Sequence, residues 1–183
     1  MNRNTLLLCL LTAVAALPGC VTREVRTVDM THPAQAATPI EEQLLLDVGV
    51  AVFDENVPED YDAQVEQRIQ PEIRRAEANF FPYTAKNLLQ STGNWGAVRV
   101  VPVPTHAVDV LVKGRILHST GERLEAEISV VDATGRLWFT RPYTALASKY
   151  AYDPSVPPTV DPFQGFYKNL ADDMLAYQQT LTQ

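Results

Sequence analysis

Two consecutive segments in the middle of the chain alternate between apolar and polar residues. Apolar residues occupy every second position over 108–116 and again over 124–130. A period of two indicates β-strands with one apolar face. An antiparallel pairing that places both apolar sets on the same face puts Arg115 opposite Glu127. The turn after the second strand resembles a three-residue hairpin, with Gly135 in the left-handed position.

The region before these strands predicts one strand and two helices. The nearly continuous apolar run 44–53 is typical of a central strand covered on both faces. An acidic loop, 54–62, follows it. Apolar residues then recur at helical spacing over 69–80, and a second helix is expected to begin at Pro82 and to end before Gly93. The helical positions of the first stripe are Ile69, Ile73, Ala76 and Phe80.

The rest of the chain predicts two more strands and a last helix. The strands are expected at 97–102 and 136–143, and Asp161 with the proline after it starts a helix with an apolar stripe that ends at Tyr177. The fold class is therefore α+β with an α/β-like character, in the order β-α-α-β-β-β-β-α. We expect a single domain at 41–183, whose mainly antiparallel sheet of about five strands is packed by two to three helices.

The amino terminus has the pattern of an export signal. Residues 6–17 are apolar, too short a run to span a bilayer, and lead to Gly19 and Cys20. This looks like a bacterial lipoprotein signal, which implies cleavage after residue 19 and lipidation of Cys20. Residues 20–40 would then be a lipidated cysteine and a flexible tether. Val21, in place of Asp, implies the outer membrane, with the domain facing the periplasm. A plain secretory signal and an uncleaved anchor are the alternatives.

Composition and motifs exclude several functions. The chain has 22 acidic and 15 basic residues, a net charge of −7, which argues against nucleic-acid binding. Of the two cysteines, Cys9 would leave with the signal and Cys20 would be consumed by the lipid. No histidine has a second ligand at metal-binding spacing, and no nucleophile or phosphate-loop motif is present. We expect no catalytic residues, no metal, no cofactor and no small-molecule substrate. The carboxylates available to a metal or a hydrolase are those of the acidic loop, Asp54, Glu55, Glu59, Asp60 and Asp62.

Two sets of side chains are candidates for a partner-binding surface. Tyr143, Tyr150 and Tyr152 lie beside a proline-rich loop and could bind a partner or pack as core. Leu111 and Leu117, with Val131 and Leu137, lie on the outer face of the meander. They could form a docking surface or lie under the last helix.

A resemblance to a known group of proteins rests on the segments 73–77 with 81–82, 94–102, 109–119, 131–138 and 161–163. Over roughly residues 44–177, the chain resembles uncharacterised proteobacterial envelope lipoproteins. The layout is more distantly similar to the CsgG and TolB amino-terminal-like folds, which also serve activators of peptidoglycan synthases. We therefore expect a non-enzymatic accessory or assembly lipoprotein that contacts the membrane through its anchor and an envelope protein. An activator of a peptidoglycan synthase and an envelope hydrolase using the acidic loop are the alternatives.

Overall fold

A computed structural model describes residues 32–148, 151–153 and 161–181, so the predicted signal, Cys20 and Tyr150 lie outside it. The predicted α+β class, single domain and element order are confirmed. No helix in the described ranges is both long and apolar enough to cross a membrane. A short 3-10 turn lies at Glu42–Leu44. The strands are β1 (Val48–Ala51), β2 (Val98–Val101), β3 (Val110–Ser119), β4 (Arg123–Asp132) and β5 (Leu137–Leu146). The helices are α1 (Tyr61–Glu66) and α2 (Pro71–Ser91), both between β1 and β2, and α3 (Gln164–Leu181) after β5.

The five strands form one sheet in the spatial order β2-β1-β3-β4-β5. β1 is central and runs parallel to both neighbours, with Val48 opposite Val98 on one side and Val110 on the other. β3, β4 and β5 form the predicted antiparallel meander. The sheet is therefore mixed. Parallel pairing of β1 with β2 requires a long crossover connection, and α1 and α2 lie in that connection.

The register of the meander agrees with the sequence prediction. Arg115 lies opposite Glu127, and Gly135 has the left-handed conformation with φ of 85°. The side chain of Asp132 closes the β4–β5 turn by accepting hydrogen bonds from two backbone amides of that turn and from the indole of Trp138. The turn is thus fixed by its own residues, which is why the sequence predicts it well.

The helices cover one face of the sheet. Side chains of α2 and α3 join the inward-facing residues of all five strands in one apolar cluster. On the opposite face, Lys113, Arg115 and Glu127 are exposed to solvent. The domain therefore has two layers, and one face of its sheet is left without a covering element in the described residues.

Pro82 lies inside α2, so the predicted helix start at this residue is wrong. Proline has no amide hydrogen, and within a helix it leaves the carbonyl four residues earlier without a donor. That carbonyl belongs to Ala78, and it accepts a hydrogen bond of 3.0 Å from the amide of Phe53, just after β1. The helix continues through the proline because the sheet supplies the missing donor.

The helix before it, α1, begins within the segment predicted to be an acidic loop. Asp60 is its N-cap residue, and the carboxylate accepts a hydrogen bond of 3.3 Å from the amide of Ala63. At the other end, Arg68 has φ of 55° and occupies the left-handed position that usually holds glycine. The amides of Arg68 and Ile69 close the end of α1 on the carbonyls of Val65 and Gln64.

Among the described residues, contacts with the domain are already present at Pro33, within the segment 20–40 that the sequence predicts to be a lipidated cysteine and a tether. Pro33 is buried. The Ala34 amide donates to the Asp172 carboxylate in α3, and the Ala34 carbonyl accepts from the side-chain amide of Asn94, both at 2.9 Å. The Ala36 amide donates to the carbonyl of Thr92. The segment predicted to be a tether thus includes a short stretch, 33–36, that is fixed to the domain, because polar groups near the end of α2 and in α3 bind its backbone.

Candidate interaction surface

The carboxylates of the acidic loop serve separate local contacts. Asp54 lies 3.6 Å from the guanidinium of Arg115, and Glu55 lies 3.7 Å from that of Arg75. Asp60 caps α1. In the described residues, no group of three or more histidine, cysteine or acidic side chains is placed to hold a metal ion. The loop therefore gives no convergent set of carboxylates for metal binding or for hydrolysis.

The predicted tyrosines are divided between the core and the surface. Tyr143 is 7% exposed, and its hydroxyl donates to the Asp173 carboxylate at 2.7 Å, so it is a core residue and cannot contact a partner. Burial is the main cause that raises the pKa of Tyr143. Tyr152 is largely exposed, and its hydroxyl donates to the carbonyl of Gly121. Tyr150 lies outside the described residues.

The predicted leucines lie on the uncovered face of the sheet, since α3 packs against the opposite face. Leu111 is partly buried and lines a depression of about 230 Å³ under the β2–β3 loop. Leu117 is at the far end of the same strand, where the pairing with β4 shifts register. Lys113 and Arg115 are exposed between them. The two leucines therefore do not form one continuous apolar surface.

Exposed apolar side chains also lie on the first two helices. Ile73, Ala76 and Phe80 of the predicted stripe lie on α2 and face solvent, because the opposite face of this helix enters the core. Ile69 precedes the helix and is half-buried. The core face carries Ala78, Phe81, Ala85 and Leu89. Five large residues of these two helices have more than half of their surface exposed, and we call this set the α1–α2 surface: Tyr61, Val65, Ile73, Phe80 and Tyr83.

The sequence pattern predicts helical spacing here but does not say which side of the helix is buried. Ile73, Phe80 and Tyr83 follow steps of seven and three, so they share one side of the helix. Ala78, Phe81, Ala85 and Leu89 follow steps of three and four on the other side. The helix is apolar on both sides, and the second stripe was the signal that one of them would be left exposed.

The charge around the α1–α2 surface is negative. Residues 54–77 hold eight acidic and three basic side chains, a net charge of −5. Arg74 and Arg75 are already paired, with Glu77 at 3.5 Å and Glu72 at 3.0 Å. No ion pair within the described part of the chain involves the remaining acidic residues of α1 and its flank, Glu59, Asp62 and Glu66.

A cleft of about 270 Å³ lies beside Ile73, between the start of α2 and the tip of the β3–β4 hairpin. Arg74 forms part of its lining and is 5% exposed, with one nitrogen donating to the carbonyl of Glu55 at 3.3 Å. Burial lowers the pKa of Arg74, and Glu77 opposes this effect. Glu77 also accepts a hydrogen bond of 2.6 Å from the hydroxyl of Ser119. The cleft thus has a paired polar lining next to an exposed apolar side chain.

Comparisons with known proteins give little further information. No family model matches the chain, and no curated protein matches it. Among the solved structures that match, a PelC dodecamer from Paraburkholderia phytofirmans is 15% identical, with 79% of this chain and 94% of that chain covered and a TM-score of 0.40. The hypothetical protein CT253 from Chlamydia trachomatis is 10% identical, with 73% and 98% covered and a TM-score of 0.40. Neither is a CsgG or TolB domain, so that layout resemblance stays a prediction.

Proposed function

We propose that the protein is a lipoprotein of the bacterial outer membrane, attached through Cys20 and facing the periplasm, which acts by binding an envelope protein and catalyses no reaction. The observation that carries the proposal is the α1–α2 surface. Its side chains on α2 lie on a helix whose other side is packed in the core, so they are exposed without local unfolding, and its side chains on α1 lie on a helix without buried residues. Large exposed apolar patches on a folded domain mark sites of association.

The amino terminus supports the same proposal. Twelve residues, 21–32, separate Cys20 from the docked Pro33. A chain of that length spans about 40 Å when fully extended and about 20 Å on average when it behaves as a flexible coil. An acylated Cys20 would therefore keep the domain close to the membrane, at the height where an envelope partner is within reach.

The anchor is tested by labelling cells with a palmitate analogue. We expect label on the wild-type chain in the outer-membrane fraction and none on the Cys20→Ala variant. Release of the unlabelled wild-type chain into the periplasmic fraction would disprove the anchor.

The partner contact is tested by photocrosslinking in living cells. A photoreactive amino acid at Phe80 should give one discrete crosslinked band, and the same amino acid at Thr140, on the uncovered face of the sheet, serves as the matched control. Equal patterns at the two positions, or no band at either, would contradict a protein-binding role for the α1–α2 surface.

Fewer observations support the two alternative functions, a synthase activator and a hydrolase. An activator of a peptidoglycan synthase has only the layout resemblance in its favour, and unchanged synthase activity on addition of the purified protein would remove it. A hydrolase would use the acidic-loop carboxylates, which serve separate contacts. A chain with Asp54→Asn, Asp60→Asn and Asp62→Asn that retains every phenotype would remove that alternative.

A further inference from the structure

We propose that the α1–α2 surface binds a cationic amphipathic segment of a protein partner, which docks with its apolar side on α2 and its lysine or arginine side chains toward α1. This inference rests on the proposed function and names the chemistry of the partner. It follows from two properties of the same surface, which are its apolar stripe and its uneven charge.

The stripe fits a helix of moderate length. Ile73 and Tyr83 are ten residues apart, so they are separated by about 15 Å along α2. Phe80 lies between them on the same side. An amphipathic segment of three or four turns that places apolar residues at every third and fourth position would cover this distance. Docking of this kind buries aromatic side chains, which contribute strongly to binding.

The charge is distributed along the surface with a definite polarity. The acidic side chains gather around α1 and the start of α2, where Glu66 and the highly exposed Glu72 flank the stripe. At the other end, the ammonium of Lys86 lies 5.8 Å from the centre of the Tyr83 ring. A bound segment should therefore carry its positive charges at the end that reaches α1 and avoid them near Tyr83.

The same charge disfavours two other occupants. A second copy of the chain would bring another region of charge −5 against the first, and the whole chain is acidic, with a net charge of −7. An anionic lipid surface would be repelled for the same reason. A cationic protein segment satisfies both the apolar stripe and the acidic flank.

The inference is tested with a labelled helical peptide of leucine and lysine and its counterpart of leucine and glutamate, by fluorescence anisotropy against the full mature chain carrying Cys20→Ala. We expect the lysine peptide to bind, and its affinity to fall as the salt concentration rises, because salt screens exposed charges. The double variant Ile73→Ser, Phe80→Ser should bind at least about tenfold more weakly. The matched control, Leu137→Ser with Leu146→Ser, exchanges two exposed leucines on β5 and should remain within about twofold of wild type.

Several results would overturn the inference. The first two are a glutamate peptide that binds as tightly as the lysine peptide and a control variant that loses as much affinity as Ile73→Ser, Phe80→Ser. The other two are a dimer of the chain that Ile73→Ser and Phe80→Ser abolish, and co-sedimentation of the protein with vesicles that contain phosphatidylglycerol. Charge is tested separately with Glu66→Gln and Glu72→Gln, which should weaken binding and reduce its salt dependence. A discrete crosslink at Phe80 in cells without lysine-peptide binding would refute the cationic segment and leave the proposed function standing.

Discussion

Replacement of Gly114 by alanine should destabilise the domain although it adds only a methyl group. Gly114 lies on the inner side of β3, beneath the ring of Phe53, and a Cβ atom there would lie 2.6 Å from the nearest ring carbons. The ring has little freedom to move, because Phe53 is 2% exposed and its amide is bonded to the Ala78 carbonyl. Overpacking costs about 1–3 kcal/mol and removal of a glycine from a strand returns about 0.5–1 kcal/mol, so the middle of these ranges gives a net loss of about 1 kcal/mol.

Urea unfolding followed by tryptophan fluorescence measures this loss directly, since Trp95 and Trp138 are both buried. We expect a lower midpoint with an unchanged slope. Gly165→Ala in α3 is the matched control, because a Cβ atom there meets nothing within 4 Å, and it should be neutral or stabilising. The double variant Phe53→Leu, Gly114→Ala should lose less free energy of unfolding than the two single variants lose together. A Gly114→Ala protein as stable as wild type would refute the steric explanation.

Three further predictions concern stability and local order. Arg68→Gly should raise the free energy of unfolding by up to about 1 kcal/mol, because φ at this position is 55°, whereas no gain is expected from Arg68→Ala. Burial raises the pKa of Asp161 above 3.8, so the contribution of this group to stability is full at low pH and is lost as pH rises through the folded-state pKa. Asp161→Asn keeps an acceptor for the Phe163 amide and should therefore be more stable than wild type at pH 7 and equal to it at pH 3, which pH-dependent urea titration checks. Asn94→Ala should speed hydrogen exchange of the Ala34 and Ala36 amides, and unchanged exchange would show that Asn94 does not hold the segment.

The features that the sequence predicted correctly are those determined by neighbouring residues. The alternation in β3 and β4 sets their register, and Gly135 with Asp132 sets the next turn, so the meander follows from local chemistry. α2 depends on a distant contact instead. Its continuation through Pro82 requires a donor from Phe53, which no local pattern reveals.

The candidate site was harder to predict because burial, rather than residue type, decides it. Tyr143 was a candidate for the surface, yet its hydroxyl finds Asp173 in α3, 30 residues away. The stripe at Ile73 and Phe80 had the right spacing, but the choice between two apolar sides of α2 is made by the sheet and by α3. Residues 33–36 show no periodicity, and their position depends on backbone hydrogen bonds to distant groups.

The central position of β1 has a consequence for the order of folding. Val48 pairs with Val98 and Val110, 50 and 62 residues later in the chain, whereas each hairpin of the meander closes over a short turn. Closure of long loops costs more entropy and is slower, so β1 should enter the sheet after the meander has formed. The first strand of the described chain is then paired after three strands that follow it in sequence, and β2, which pairs with β1 alone, joins the sheet with it or after it. Until it is inserted, the apolar run 44–53 remains uncovered, and aggregation of the nascent chain should depend mainly on this segment.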